Sequence, residues 1–293
     1  MAPNSVICAG SALWDVIGRT DREIEKSHDV PGRIRKQLGG VALNVAGRMV
    51  KQDISPIILS AVGQDAEGVE LIAACQQNGI QMGHVLRMPD LPTDRYMAIE
   101  DTTGLVAAIA DAHSLEKKGQ DIFDPLLKTK TLTLSQGDIL FLDGNFTTDT
   151  LEFISTHPAL ASTDIRIAPA SPGKAERLAP FFDHATTTLY CNKYESEILC
   201  GASFPSAAEA AEAMVAKGAY RAVITDGEKL AADAMKSAPL VCCTPPRVTI
   251  KQVTGAGDTL IATHIVAELN GQSRNHALEH ALNLASAFVA GKT

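Results

Sequence analysis

The chain has 293 residues, 45% hydrophobic and 20% charged, which is enough apolar content for a large core and too much for a disordered polypeptide. Its formal net charge is −8 and no Lys/Arg run is long enough to track a phosphate backbone, so nucleic acid is disfavoured as a partner. No apolar run reaches the roughly 18 residues of a membrane span, Met1–Ala9 has no basic region followed by a long apolar core, and the six cysteines show neither C-x-x-C nor His-paired zinc spacing; a cytoplasmic protein with free thiols is expected.

Short apolar runs alternate with helical periodicity for most of the length, which predicts a layered α/β fold with a mostly parallel central sheet. The chain opens with a strand, Val6–Ala9, then a helix over Ala42–Lys51, a strand over Ile57–Ala61 and a helix over Glu67–Asn78. Arg95–Glu100 and Leu105–Ala110 break the alternation: Asp101-Thr102-Thr103-Gly104 between them is turn chemistry, so the pair reads as a hairpin. Inserted here, a hairpin does not join the middle of a parallel sheet; with Asp15–Thr20 and neighbouring extended residues it forms a small lid, drawn from segments near 13–38 and 93–112. Asp111–Gln136 is polar, with a helical piece around Asp124–Leu127. Strands at Ile139–Asp143, Ile165–Ala168, Thr188–Cys191 and Ala222–Thr225 then alternate with helices at Thr150–Thr156, Lys174–Phe182 and Ser206–Lys217; Thr259–Leu269 and Asn275–Ala290 close the chain as helices.

Chemistry-bearing residues cluster at strand ends and helix starts. Asp15 follows the first strand, where a carboxylate accepts two hydroxyl hydrogen bonds, although a turn Asp looks the same. Gly39-Gly40 opens a helix whose first turns carry Asn44; a diglycine lets a hydroxylated ligand approach the backbone, and the Asn amide offers one donor and one acceptor to a diol. Tight helix packing explains the same glycines. Asp143-Gly144-Asn145 ends another strand, at the edge where α/β sheets gather ligands. Asn192 and Glu195, three apart at a helix start, offer oxygens suited to a hydrated Mg²⁺, or a first-turn Glu favoured by the helix dipole. Thr225-Asp226-Gly227 ends a further strand and is either a turn or a nucleotide contact.

The strongest signal is late. Val253-Thr254-Gly255-Ala256-Gly257-Asp258 runs directly into an apolar helical stretch, so bare amides and the helix dipole can hold an anion beside a carboxylate. An Asp N-cap after a Gly-rich turn is the alternative. The string lacks the Lys-[Ser/Thr] of a P-loop, and the dinucleotide pattern fails at Leu260.

In this order and spacing, Gly39-Gly40 with Asn44, Asn192 with Glu195, and the late Gly255-Ala256-Gly257-Asp258 resemble the ribokinase-like, or PfkB, family of carbohydrate and nucleoside kinases over nearly the whole chain. The resemblance implies a ribokinase-like α/β/α domain with a small β lid spanning residues 1–293. It also implies ATP with Mg²⁺ as cofactors, a small-molecule sugar or nucleoside as partner, and a homodimer formed through the lid. By the same resemblance Asp258 is the base for the attacking hydroxyl, Gly255, Ala256 and Gly257 form the anion hole, and Asp15, Gly39, Gly40, Asn44 and Asn145 hold the acceptor. Asn192 and Glu195 organise the metal, while Asn192, Thr225, Gly227 and Asn283 lie along the nucleotide. The lid string from Tyr96 to Asp111 is similar to that of the branch acting on pseudouridine, so phosphorylation of its 5′-hydroxyl is expected. Another sugar or nucleoside kinase, or a non-catalytic binding regulator on the same fold, are the alternatives. Three positions depart from the family. Gln252 stands where many members carry an Asp associated with a monovalent cation, leaving K⁺ activation open; Leu13 replaces a ribose-binding Asn; Leu230 replaces a nucleotide-loop Gly.

Overall fold

Strands covered on both faces need apolar residues at consecutive positions, and the runs in this sequence that meet that condition form one sheet. The computed structural model describes residues 5–292, so residues 1–4 of the stretch read for a leader lie outside it. In chain order the elements are β1 (Val6–Ala9), β2 (Leu13–Arg19), β3 (Arg33–Gly39), α1 (Val41–Val50), β4 (Ile57–Leu59), β5 (Ala61–Gly63), α2 (Ala66–Gln77) and β6 (Leu86–Met88). The hairpin β7 (Arg95–Asp101) and β8 (Gly104–Asp111) follows, then α3 (His113–Lys118) and α4 (Asp124–Leu127). Next come β9 (Ile139–Asp143), α5 (Thr148–Thr156), β10 (Asp164–Ala168), a 3₁₀ helix (Pro172–Phe181), β11 (Thr188–Asn192), α6 (Lys193–Cys200), α7 (Ala207–Lys217) and β12 (Arg221–Thr225). β13 (Ala231–Met235), β14 (Val241–Cys243), α8 (Ala256–Leu269) and α9 (Arg274–Val289) complete the chain.

The main sheet has eight strands in the order β14-β13-β12-β11-β10-β9-β1-β4. β4 through β12 run parallel, and β13 and β14 add an antiparallel edge. Buried clusters lie on both faces of this sheet, one around Leu140, Leu142, Phe146 and Phe181, the other around Phe141, Val45, Met49, Ile265 and Leu282. Ala168 pairs with Asp143 and Asn192 with Thr225, so Asp143, Ala168, Asn192 and Thr225 share the carboxyl edge of the sheet. Among the described residues no helix is long and apolar enough to cross a membrane, and all six cysteines are free thiols.

The second sheet is the expected lid, with four strands in the order β3-β2-β7-β8. β2 pairs antiparallel with β3 and parallel with β7. Registers place Gln37, Asp15, Tyr96 and Ala110 in one row, and Lys36, Val16, Met97 and Ile109 in the next, facing the opposite way.

Several elements differ from the sequence expectation. The run Ile57–Ala61 is not one strand: Ser60 turns its carbonyl to Leu86 N–H (2.8 Å), so β4 stays in the main sheet while β5 pairs with β6. Lys174–Phe182 is not an α-helix; Pro180 removes an amide donor and the segment is 3₁₀ from Pro172. The late helix begins at Ala256 rather than Thr259. The hairpin β13–β14 and the short α3 were not anticipated.

Candidate functional site

Strand ends and the starts of α1, α6 and α8 converge at the carboxyl edge of the sheet. Gly255 enters α8 at φ 91°, a left-handed conformation that glycine adopts without a steric penalty. Ala256 N–H bonds to the Val253 carbonyl at 3.0 Å and Thr259 N–H to the Gly255 carbonyl at 3.0 Å. The Gly255, Gly257 and Asp258 amides find no acceptor among the described residues. This differs from the expected set of amides: Ala256 lines the site but its N–H is occupied, whereas the Asp258 N–H is free.

Asp258 lies where two spaces meet. On one side it borders a cavity of 370 Å³, together with Ala256, Gly257, Asn192, Glu195, Thr225 and Gly227. The rest of that wall is largely apolar, including Tyr190, Val223, Val248, Ile250 and Leu282. On the other side the Asn44 side chain lies near the Asp258 carboxylate and favours its ionised form. Burial raises the Asp258 pKa to about 6, opposed by Asn44 and by the Arg48 charge. Phosphoryl transfer itself does not demand that shift.

Asp15 approaches Asp258 from the lid. Its pKa is likewise raised to about 6, first by burial and then by repulsion from Asp258, while the neighbouring Gln37 side chain acts the other way. Gly39 packs directly beneath Asp15: a β-carbon there would overlap the carboxylate. Gly40, at φ 96°, leaves no room for a side chain against the Ser11 backbone. The diglycine thus brings α1, with Asn44, close to both carboxylates.

Asn145 is engaged internally. Its amide donates to Ser11 Oγ (3.0 Å) and accepts from Lys174 Nζ (2.6 Å), while Ser11 and the Ala42 amide donate to the fully buried Asp143. One amide hydrogen and one lone pair remain for a ligand. Asn192 and Glu195 form a reciprocal capping box on α6: Glu195 N–H donates to Asn192 Oδ1 (2.8 Å) and Asn192 N–H to Glu195 Oε2 (2.9 Å). Capping and lining coexist, since both residues border the cavity. Burial holds the Glu195 pKa above the ordinary carboxylate range. Among the described residues no three His, Cys, Asp or Glu side chains group as metal ligands. The second Glu195 oxygen can still receive a cation that keeps most of its water, as Mg²⁺ does.

Asn283 is not brought to the site; it is exposed on α9, which lines the cavity with Leu282, Ala285, Ser286 and Val289 instead. Gln252 donates its side-chain amide to the Phe288 carbonyl (3.1 Å). Gln37, Tyr96, Lys174 and Arg48 are polar neighbours of the site that the motif reading missed. Tyr96 and Gln37 follow from the lid register with Asp15, and Arg48 lies one helical turn after Asn44.

Residues 3–292 match the pfkB family of carbohydrate kinases. The chain is 25% identical over 267 residues to a pseudouridine kinase of Escherichia coli, covering 88% of this chain and 81% of that one. It is 29% identical over 273 residues to the bifunctional protein HldE of Helicobacter pylori, covering 89% of this chain and 56% of the relative. The fold is shared with a ribokinase of Thermotoga maritima (TM-score 0.79, 22% identity, 98% and 93% of the two chains). It is shared also with an Arabidopsis thaliana ribokinase solved with ribose and ATP (TM-score 0.78, 19% identity, 99% and 93%). The chain belongs to the pfkB family of carbohydrate kinases.

Proposed function

We propose that this kinase transfers the γ-phosphoryl group of ATP to a primary hydroxyl of a sugar or nucleoside, with the 5′-hydroxyl of pseudouridine as the leading acceptor. The observation that carries the reading is the position of Asp258, which borders the apolar cavity on one side and contacts Asn44 and faces Asp15 on the other. The cavity takes the nucleotide, its base among Tyr190, Val223, Val248, Ile250 and Leu282 and its phosphates toward Thr225, Gly227 and the start of α8. Asp15, Asn44 and the Gly39-Gly40 backbone hold the acceptor diol, with the remaining Asn145 groups at its far end.

Asp258 takes the hydroxyl proton while the hydroxyl oxygen bonds to the γ-phosphorus; the bond to the β-phosphate oxygen breaks and ADP leaves with its electron pair. The free amides of Gly255, Gly257 and Asp258 receive the charge on the transferring group. Glu195 and Asn192 would hold Mg²⁺ through water, and the ion, when bound, neutralises phosphate charge.

Lid and core form one domain in this reading, and the lid closes over the acceptor to exclude water. Its outer face carries Ile34, Met97, Ile99 and Ile109, between 43% and 79% exposed, which supports pairing with a second copy. The pseudouridine kinases of E. coli and Arabidopsis thaliana, each 25% identical over the matched residues, support the acceptor. The test is mass spectrometry of product formed from ATP and a pool of pseudouridine, uridine, ribose and ketoses. Pseudouridine 5′-phosphate as the dominant product is expected. A different sugar phosphate would move the acceptor, and no phosphorylated product would leave a binding regulator.

A further inference from the structure

A carboxylate base beside a triphosphate creates an electrostatic problem, because the base and the transferring group repel each other. The structure contains one charge placed to offset this. Arg48 lies on α1 one turn beyond Asn44, half-buried, with its guanidinium 4.2 Å above the Phe288 ring. A β-carbon placed on Gly255 would stand 3.5 Å from Arg48 Nη2 and 3.2 Å from Phe288 Cζ, so the guanidinium reaches the loop that carries the free amides. Its charge acts on Asp258, yet among the described residues it closes no ion pair with Asp258 or any other carboxylate. The exposed arginines of a surface network look different: this one sits over an aromatic face beside the free amides, without a closed ion pair among the described residues.

We propose that Arg48 is a further catalytic residue, whose guanidinium, lying against the Gly255 loop, contacts equatorial oxygens of the transferring phosphoryl group beside those held by the α8 amides. This rests on the phosphotransfer reading above. Charge on that group is spread over three oxygens, and the α8 amides reach them from one direction only. A planar cation already stacked on Phe288 stabilises the others without reorganising during the reaction. Gly255 has a second role here: without a side chain, it lets Arg48 lie against the loop.

The experiment compares wild type with Arg48→Met, which keeps the stem over Phe288, Arg48→Lys, and Arg48→Ala with added guanidinium. Arg48→Met should lower kcat by about 10- to 100-fold while the KM values for ATP and acceptor stay within about threefold of wild type. Guanidinium should restore part of the turnover to Arg48→Ala and none to Arg48→Met. A purely structural arginine would lose thermal stability without this split and without rescue, and a kcat within twofold of wild type would overturn the proposal. Binding of inorganic tripolyphosphate, measured by calorimetry on the same proteins, separates the two levels. If wild type phosphorylates no acceptor, the kinase reading fails, and the Arg48 assignment then stands or falls on weaker tripolyphosphate binding in Arg48→Met. Should Arg48→Met not fold, the Arg48→Lys kinetics and the rescue of Arg48→Ala decide.

Discussion

Asn44, on the first turn of α1, faces the carboxylate of Asp258, on the first turn of α8, and favours its anion. That influence opposes burial, which has raised the Asp258 pKa to about 6. A base must be ionised to accept a proton, so kcat/KM should fall about tenfold per pH unit below pH 6. Asn44→Ala removes a stabiliser of the anion and should move that acid limb to higher pH. Paired pH–rate profiles check this, and an unmoved limb in Asn44→Ala would detach the titration from Asp258.

Replacing the base separates chemistry from binding. Asp258→Asn should lower kcat by about 10²- to 10⁴-fold with the affinity for a non-hydrolysable ATP analogue retained, as read by calorimetry. Near-full turnover in this variant would remove Asp258 from the reaction.

The same variant should gain stability. The folded-state pKa of about 6 lies above the ordinary 3.8, so protonation stabilises the native state below pH 3.8, and that contribution is lost as pH rises through 6. At pH 8 the wild type carries an ionised, half-buried carboxylate and Asp258→Asn does not. The expected gain is about 1–2 kcal/mol at pH 8, shrinking as pH falls through 6 and gone below about pH 4. Urea unfolding at several pH values reads it; a gain that stayed constant with pH would contradict the burial of Asp258.

Gly39 tests the acceptor side. A methyl at this position must displace the Asp15 carboxylate that packs on it. Gly39→Ala should lower kcat/KM for the acceptor by about 10- to 100-fold and leave ATP affinity unaltered. Steady-state kinetics with each substrate varied in turn distinguish this from a general loss of fold.

The outer lid face tests the assembly. Met97 on β7 and Ile109 on β8, paired across the hairpin, are 48% and 70% exposed. Met97→Glu with Ile109→Glu should convert a dimer to a monomer in sedimentation equilibrium, with thermal stability of the core little changed. A wild type that sediments as a monomer would withdraw the dimer.

The parts of the site that chain-local chemistry dictates were legible in the residues themselves. The diglycine before Asn44, Asn192 three before Glu195, and the glycine-flanked turn ending in Asp258 each impose a backbone geometry within a few residues. The lid hairpin was legible too, because Asp101-Thr102-Thr103-Gly104 fixes a turn between two apolar runs. What stayed hidden depends on contacts between distant segments. Arg48 reads as an ordinary helix arginine until Phe288 and Gly255 are packed against it. Asn283 and Leu282 are neighbours in the sequence, yet only the docking of α9 decides which of them meets the cavity. The break at Ser60 follows from the pull of Leu86 on its carbonyl, which no local pattern encodes.

The alternation along β2 has a consequence for what changes the lid can tolerate. Asp15 turns toward Asp258, and Val16 sits in the row of Met97 and Ile109 on the reverse side. A slip of one residue between Gly10 and Asp15 would reverse the two faces of β2, setting valine where Asp15 meets Asp258 and a carboxylate amid the greasy exterior. Chemistry and solubility are therefore locked to a single pairing, and insertions in the family should spare this connection while accumulating at the hairpin tip.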